Sequence, residues 1–340
     1  MLGQIDEKGP LIMTILVTGA TGFLGSHIVE QLTTEGRDVR ALVRKTSDTT
    51  FLRTLPHVTF AEGAVDDLDS FVNAANGVEA IIHAAGLVKA RNQSEFMKTN
   101  AEGTANAVSA ARRAGHQLRR FVLVSSQAVA GPSEDGSPVP VDGAPGPVTH
   151  YGESKLAGER AALAAKDDFP LTVLRPPLVY GPRDREVLAF FKAVKTGVLP
   201  YMGAPTKRIS VIYGGDAASA CIRAVDAQVP SGSIYFLEDG LTRSFEELVL
   251  AIEAAVGRRA WLRFPLPRSV IEVAATASEL YGRVTNRAVM LTRDKCNELF
   301  AANWVCDAGP ARRDLSWSAQ VPFDLGAKRT ADWYRANGWL

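Results

Sequence analysis

Cysteine is scarce in this chain: three residues in 340, Cys221, Cys296 and Cys306. An odd number leaves no complete disulfide framework, and the three lack the close pairing that holds zinc, so a reducing cytoplasm is the expected setting and no metal site is expected. Net charge is equally sparse. Basic and acidic side chains number 38 and 37, leaving +1, too little to draw the whole molecule to nucleic acid or to an anionic membrane. No uninterrupted apolar run reaches the length that crosses a bilayer, so no integral membrane segment is expected. The start, Met1-Leu2-Gly3-Gln4-Ile5-Asp6-Glu7-Lys8, has neither the basic opening nor the apolar core of a signal peptide. Residues 1–12 read as a loose extension, with Met13 as an alternative start. What the chain does have is apolar content, 46%, enough at this length to bury a substantial core in one large α/β domain or two coupled lobes.

The most informative stretch comes first. An apolar strand, Ile15-Leu16-Val17-Thr18, runs into Gly19-Ala20-Thr21-Gly22-Phe23-Leu24-Gly25 and then into an amphipathic helix. Gly19 suits a sharp turn, Gly22 offers no Cβ to block a pyrophosphate, and Gly25 lets helix and strand pack closely. A helix N-terminus behind such a turn presents free N–H groups to an anion. The spacing is Gly-x-x-Gly-x-x-Gly, one residue wider than the usual dinucleotide fingerprint, and an ordinary tight strand-to-helix turn is the competing reading. Context favours the nucleotide: Ile28 and Leu32 supply a helical face, Gly36 ends the helix, and Val39 to Val43 follows as a second strand.

After that strand stands Arg44, where an acid would accept from a ribose 2′-hydroxyl and a guanidinium would pair with a 2′-phosphate. Arg44 points to NADP rather than NAD, unless it is a solvated surface side chain. Val58-Thr59-Phe60 reads as a third strand, and the loop beyond it, Gly63 to Asp67, is where adenine would lie; Asp67 suits either a ligand contact or a helix cap. Ala80-Ile81-Ile82-His83-Ala84-Ala85-Gly86 reads as a buried fourth strand whose small end residues let a cofactor approach. His83 within it suits a core histidine better than a base. Helical spacing runs from Glu95 to Gly115, with Asn100 and Thr104 on one face, Asn100 either orienting a water or bonding a neighbouring strand's carbonyl. Phe121 to Ser126 is a fifth buried strand, and ligands collect at the carboxyl ends of such strands. Gly131 to Thr149, rich in Pro, Gly, Ser and Asp, reads as a surface loop near the site.

Tyr151-Gly152-Glu153-Ser154-Lys155 then opens a helix that places Tyr151 and Lys155 one turn apart on the same side. A phenol is a poor base at neutral pH, but an adjacent ammonium and an oxidised nicotinamide ring would stabilise its phenolate. Alone, such a pair is common on helix surfaces. Its place after a nucleotide turn and a strand-end serine makes it a candidate acid/base.

The turn from Thr18 to Gly25, His83-Ala84-Ala85-Gly86, Ser125-Ser126, Tyr151-x-x-x-Lys155 and Arg175-Pro176-Pro177-Leu178-Val179-Tyr180-Gly181-Pro182 together resemble the extended branch of the short-chain dehydrogenase/reductase superfamily. That branch includes NAD(P)-dependent epimerases, dehydratases, 3β-hydroxysteroid dehydrogenases and dihydroflavonol reductases, and the resemblance covers nearly the whole chain. It implies an α/β fold: a doubly wound parallel Rossmann sheet over residues 13–180 and a smaller mixed α/β substrate lobe over 181–340, with a return to the sheet near 209–228. It implies a cofactor, NADP by preference or NAD, held by Gly19, Thr21, Gly22, Phe23, Leu24, Gly25, Arg44, Asp67, Ala84, Ala85, Gly86, Tyr151, Lys155 and Pro177. The same resemblance makes Ser126 the carbonyl-polarising serine, with Ser125 as the alternative one residue earlier. Tyr151 becomes the proton donor or acceptor, Lys155 its ribose-holding partner and Asn100 the fourth member of the site. A homodimer built from the helices around 95–115 and 151–165 is also implied. Two positions depart from the family: Gly63-Ala64-Val65 lacks the aspartate that contacts adenine, and Gly215 stands where an acid is common, which implies a looser loop.

Beyond Pro182 the clearest helical segments are Val187 to Lys195, Asp216 to Val225 and Phe245 to Val256, with strand-like runs at Ser233 to Leu237 and Trp261 to Phe264 in the second lobe. Pro265 to Ala275 is notably apolar: a helix packed on its own lobe, a lid over a sterol-, flavonoid- or lipid-like substrate, or an element at a membrane surface. No dense arginine cluster marks a diphosphate clamp. The expected activity is hydride exchange between nicotinamide and a secondary alcohol or ketone of a small-molecule substrate. Nucleotide-sugar epimerisation or dehydration with retained NAD is the alternative, and a non-catalytic NADP-binding regulator is a reading from another class, disfavoured by Tyr151 and Lys155.

Overall fold

The computed structural model describes residues 13–114 and 118–340; the extension 1–12 and the expected helix end at Gly115 lie outside the described residues. Its centre is a parallel sheet of β1 (Thr14–Thr18), β2 (Asp38–Val43), β3 (Val58–Glu62), β4 (Ala80–His83), β5 (Arg120–Val124), β6 (Leu171–Arg175) and β11 (Ser233–Phe236), in the order β11-β6-β5-β4-β1-β2-β3. Parallel strands need crossovers, and crossover helices cover both faces, which is why β1, β4 and β5 are apolar almost throughout. Alternate side chains serve opposite layers. Ile15 and Val17 pack with Ile28 and Leu32 of α1 (Phe23–Thr34) and with Ala217 and Ile222 of α7 (Gly214–Asp226). Leu16 joins Phe71 of α2 (Leu68–Ala75), Val108 of α4 (Gly103–Ala114) and Ala162 of α5 (His150–Leu163) on the other face. Each fully buried Leu or Ile contributes about 1.5–3 kcal/mol.

The sheet reverses direction of growth between β1 and β4, whose registers place Val17 beside Ala41 on one side and Ile82 on the other. A reversal of this kind opens a crevice at the carboxyl ends of those two strands. Between β4 and α4 the chain runs through α3 (Gln93–Phe96) and a π-helical turn, Met97–Glu102, where the sequence suggested one regular helix.

The second lobe is built from short pairs: β7 (Leu178–Tyr180) with β10 (Val211–Tyr213), β8 (Val198–Tyr201) with β13 (Leu262–Pro265), and β9 (Arg208–Ile209) with β12 (Arg243–Ser244). Helices α6 (Leu188–Thr196), α8 (Phe245–Val256) and α12 (Phe323–Ala336) enclose Phe191, Leu248, Ile252 and Tyr334. A hairpin of α9 (Arg268–Thr285) and α10 (Arg293–Phe300) completes it, while the short α11 (Gly309–Asp314) returns to the central sheet, its Ala311 in the same core as Tyr235 of β11. One strand stands elsewhere than expected. Ser233 to Phe236 belongs to the central sheet beside β6, with Tyr235 opposite Leu174, because α7 carries the chain back across α1 and Tyr235 and Leu237 fill the same core. Gly215 is likewise no loose loop: it lies in the first turn of α7, where its carbonyl accepts from Gln31 Nε2 at 2.8 Å.

Candidate active site

The glycine turn joins β1 to α1 at the crevice. Gly19 has φ +69°, and a Cβ there would lie 2.8 Å from the Ala85 backbone; a Cβ on Gly25 would strike the Gly19 carbonyl. Those two positions need glycine to close the turn. At Gly22 a Cβ would come 3.0 Å from the Gly19 carbonyl, a tight approach, and the residue is exposed at the mouth of the turn. Helix α1 has neither a side-chain cap nor an acid in its first turn, whereas Asp67, Thr149, Ser244 and Thr292 cap α2, α5, α8 and α10. Its first N–H groups and positive dipole end are therefore available to an anion, and the pyrophosphate of a dinucleotide fits. The Phe23 ring turns inward, against His27 at a centroid distance of 5.5 Å, and Leu24 packs on the core. What these two present to a ligand is backbone; Thr21 stands exposed beside them.

Around the crevice the remaining cofactor candidates divide. Arg44 follows β2 with its side chain exposed, and its charge helps Lys98 hold the Asp66 carboxyl below the usual range. Asp66 pairs with Lys98 at 2.9 Å. The Asp67 carboxylate accepts from Ser70 N–H at 3.3 Å, so its demonstrated role is the helix cap. Ala84, Ala85 and Gly86 follow β4, and Pro177 follows β6, all at carboxyl ends.

His83 is a core residue. The Ala85 N–H donates to the Thr18 hydroxyl, which donates to His83 Nδ1 at 2.8 Å; His83 Nε2 meets the Thr104 hydroxyl at 3.3 Å, and that hydroxyl donates to the Asn100 carbonyl. This chain assigns the neutral Nε2–H tautomer, and burial holds the imidazole down to about 3. Asn100 sits in the π turn, almost fully buried. Its amide accepts from Leu87 N–H at 2.7 Å and donates to the Leu87 carbonyl and to Ser154 Oγ. Through these bonds the side chain ties the loop after β4 to α5.

Tyr151 lies in the first turn of α5, packed against Phe96 at 6.1 Å. Burial pushes its phenol up to about 12; the Ser126 hydroxyl pulls it down and the Glu298 charge pushes it further up. The ammonium of Lys155 donates to the Val124 carbonyl at 2.7 Å, and burial draws it down to about 8, against the raising effect of Glu159. In the free protein burial outweighs the pull of the Ser126 hydroxyl, and the phenol keeps its proton. Asn100 Oδ1 and Lys155 Nζ both come within 4 Å of where a Cβ on Gly86 would sit, so these three converge.

The two serines separate cleanly. Ser125 Oγ points inward and donates to Glu159 at 2.7 Å, while Ser126 starts a short turn at the strand end and accepts from Ala128 N–H at 3.1 Å. Glu159 was not singled out from sequence, yet it is nearly fully buried and paired with Arg175 through both Nε and Nη2. Asp294 was also missed: its carboxylate accepts from the His150 N–H at 3.1 and 3.2 Å, closing the start of α5 from the second lobe. Beside the phenol, Val88, Phe96, Thr149, Val289, Met290 and Lys295 line a recess with about 20 Å³ free, room for a water rather than a substrate.

A parallel sheet reversing at an uncapped glycine turn, with phenol, ammonium and hydroxyl gathered at its carboxyl edge, defines a nicotinamide-dependent enzyme of the Rossmann class. Comparison with known proteins makes this specific. The NAD dependent epimerase/dehydratase family matches residues 15–237. The ceramide reductase of Caulobacter vibrioides is 33% identical, over 98% of this chain and 97% of its own. The 2-alkyl-3-oxoalkanoate reductase of Stenotrophomonas maltophilia is 28% identical, over 93% and 98%. In fold, the dTDP-glucose 4,6-dehydratase DesIV of Streptomyces venezuelae, solved with NAD bound, aligns with a TM-score of 0.79 at 23% identity over 96% of this chain and 98% of that one. The chain belongs to the NAD-dependent epimerase/dehydratase family, the extended short-chain dehydrogenase/reductase enzymes, and is an NAD(P)-dependent oxidoreductase.

Proposed function

We propose that this enzyme interconverts a ketone and a secondary alcohol on a hydrophobic, long-chain substrate, with NADP preferred over NAD. The observation that carries this reading is the Tyr151 phenol, facing the Ser126 hydroxyl and bordered by the apolar side chains of Val88, Phe96, Val289 and Met290. Two full-length relatives act, by name, on a ceramide and on a 2-alkyl-3-oxoalkanoate, both rich in alkyl chain. Arg44, exposed at the carboxyl end of β2 with no acid in its place, supports NADP.

When bound, nicotinamide supplies or removes the hydride. In the reducing direction Ser126 donates a hydrogen bond to the substrate's carbonyl oxygen and Tyr151 delivers its proton there. A phenol held near 12 suits a donor. Lys155 places a positive charge beside the phenolate left behind, and Asn100 keeps Leu87 and α5 in register with it. Residues 13–180 carry the cofactor and 181–340 the substrate, apart from the stretch that returns to the sheet. The part-exposed alanines of α4 and α5 are the surface on which a homodimer would form, and three buried free cysteines suit the reducing cytoplasm.

Nucleotide-sugar epimerisation or dehydration is the second reading, favoured by the likeness to DesIV. The apolar recess weighs against it. Turnover of long-chain ketones and of nucleotide sugars, with wild type and Tyr151→Phe, separates the two. We expect ketone reduction to fall about 10²–10⁴-fold in the variant with cofactor affinity unchanged; undiminished reduction would remove Tyr151 from the chemistry.

A further inference from the structure

Helix α9 is held to the protein by little and turns a great deal of apolar surface outward. Along its 18 residues only Ile271, Ala275 and Gly282 are buried, against a small core that Cys296 completes. The outer face carries Val270, Val273, Ala277, Leu280, Tyr281 and Val284, at the three- and four-residue spacing that aligns one side of a helix. All are exposed, Val273 at 72%, Leu280 at 62% and Val284 at 79%. A surface helix ordinarily has the opposite arrangement. Single exposed apolar residues need no explanation, but a continuous stripe does.

Charge and position specify what meets it. At the C-terminal end of the helix Arg283 and Arg287 are exposed and form no ion pair among the described residues, whereas Arg293 is paired with Glu279 at 3.4 Å, so that end of the stripe is positive. The same segment continues directly into the recess beside Tyr151, where Val289 and Met290 are lining residues and Met290 and Val88 remain 40% and 50% exposed. Val289 also packs against Gly282 of α9, so the recess adjoins the C-terminal end of the helix. No described helix is long and apolar enough to cross a membrane, which leaves α9 the option of lying on one.

We propose that α9 docks on an anionic bilayer surface, with its apolar stripe among the acyl chains and Arg283 and Arg287 among the phosphates, so that a membrane-dissolved substrate enters the Tyr151 recess without crossing water. The substrate half of this inference rests on the hydrophobic-substrate reading above; the docking half does not.

Flotation of the full chain with vesicles tests it. With phosphatidylcholine vesicles containing about 30% phosphatidylglycerol, the protein floats, and floats less as salt is raised or phosphatidylglycerol is left out. The triple variant Val273→Asp/Leu280→Asp/Val284→Asp lowers the vesicle-bound fraction at least about tenfold. The double variant Arg283→Glu/Arg287→Glu, which leaves the stripe intact, loses the preference for anionic vesicles. Thermal melts of both variants exclude misfolding, since all five side chains are exposed. Wild type that stays unbound, or variants that bind as wild type does, would overturn the docking, as would light scattering that shows self-association abolished by the triple variant in a protein that ignores vesicles. Reduction of a short water-soluble ketone, assayed without lipid, is scored separately: its absence counts against the oxidoreductase reading and leaves the flotation result standing.

Discussion

Replacing Glu159 with glutamine tests the support beneath α5, the helix that carries Tyr151 and Lys155. Glu159 and Arg175 are only 2% and 4% exposed, and the carboxylate receives Arg175 Nε at 3.1 Å, Arg175 Nη2, and Ser125 Oγ at 2.7 Å. Glutamine keeps the volume, but its amide nitrogen must face a donor and the guanidinium loses its counter-charge. Breaking a buried pair in this way costs about 3–5 kcal/mol, a large share of the roughly 5–15 kcal/mol that holds a domain folded. The second consequence is catalytic. Glu159 lies one turn beyond Lys155, and its charge opposes the burial that brings the ammonium down to about 8. Without it the lysine loses its proton at lower pH, so the alkaline limb of kcat/KM for ketone reduction moves to lower pH, while the acid side of the profile keeps its shape. Denaturant unfolding reads the first effect and a pH–rate profile the second. A destabilised variant with an unmoved alkaline limb would refute the coupling of Glu159 to Lys155; unaltered stability would refute the reckoning of the buried pair.

Arg44→Ala should weaken NADPH binding by about 10–100-fold, the loss of a charge-assisted hydrogen bond, and leave NADH unchanged; calorimetric titration that finds both weakened equally, or neither, removes the arginine from cofactor choice. Gly19→Val should abolish cofactor binding and cost about 1–3 kcal/mol of stability, because φ is +69° and the Ala85 backbone lies 2.8 Å from the new Cβ; a variant that binds normally contradicts the turn geometry. Burial first, and the Arg183 charge second, lower His27 from 6.5 to about 4, so the folded imidazole is neutral where the unfolded one is charged. Its contribution is fully present above about pH 6.5 and is lost as pH falls through about 4, close to 3 kcal/mol in all. His27→Gln should flatten that part of the stability curve, and an unchanged slope between wild type and variant would count against it.

Some of this was legible before any coordinates and some was not, for identifiable reasons. The strands β1, β4 and β5 announce themselves because each is a short, nearly unbroken apolar run, as a strand covered on both faces must be. The turn at Gly19 and Gly25 is legible because only glycine closes it. Ser233 to Phe236 looked like a strand of the second lobe because its alternation says nothing about which edge it will join; only the packing of α7 on α1 decides that. Glu159 and Asp294 left no local trace. Their partners, Arg175 and the His150 N–H, lie 16 and 144 residues away, and a carboxylate on a helix looks the same whether it faces water or a buried guanidinium. The spacing of Tyr151 and Lys155 was readable, but the sign of the tyrosine's shift was not, since it turns on how much of the second lobe closes over the ring.

That closure links recognition to proton transfer. The roof over Tyr151 comes from the segment around Val289 to Lys295, and the same segment brings Asp294 to the His150 N–H, Asn297 Nδ2 to the Val148 carbonyl at 3.3 Å, and the Glu298 charge toward the phenol. With about 20 Å³ free beneath the roof, a substrate enters only if the segment lifts. Lifting it removes the cap from the start of the helix that carries Tyr151, admits water to the ring and withdraws Glu298, and each of the last two changes lets the phenol relax toward its ordinary value near 10. Closing reverses all three. In the closed arrangement the phenol holds its proton most firmly, so the second lobe, which contributes none of Ser126, Tyr151 and Lys155, still bears on the acidity of Tyr151.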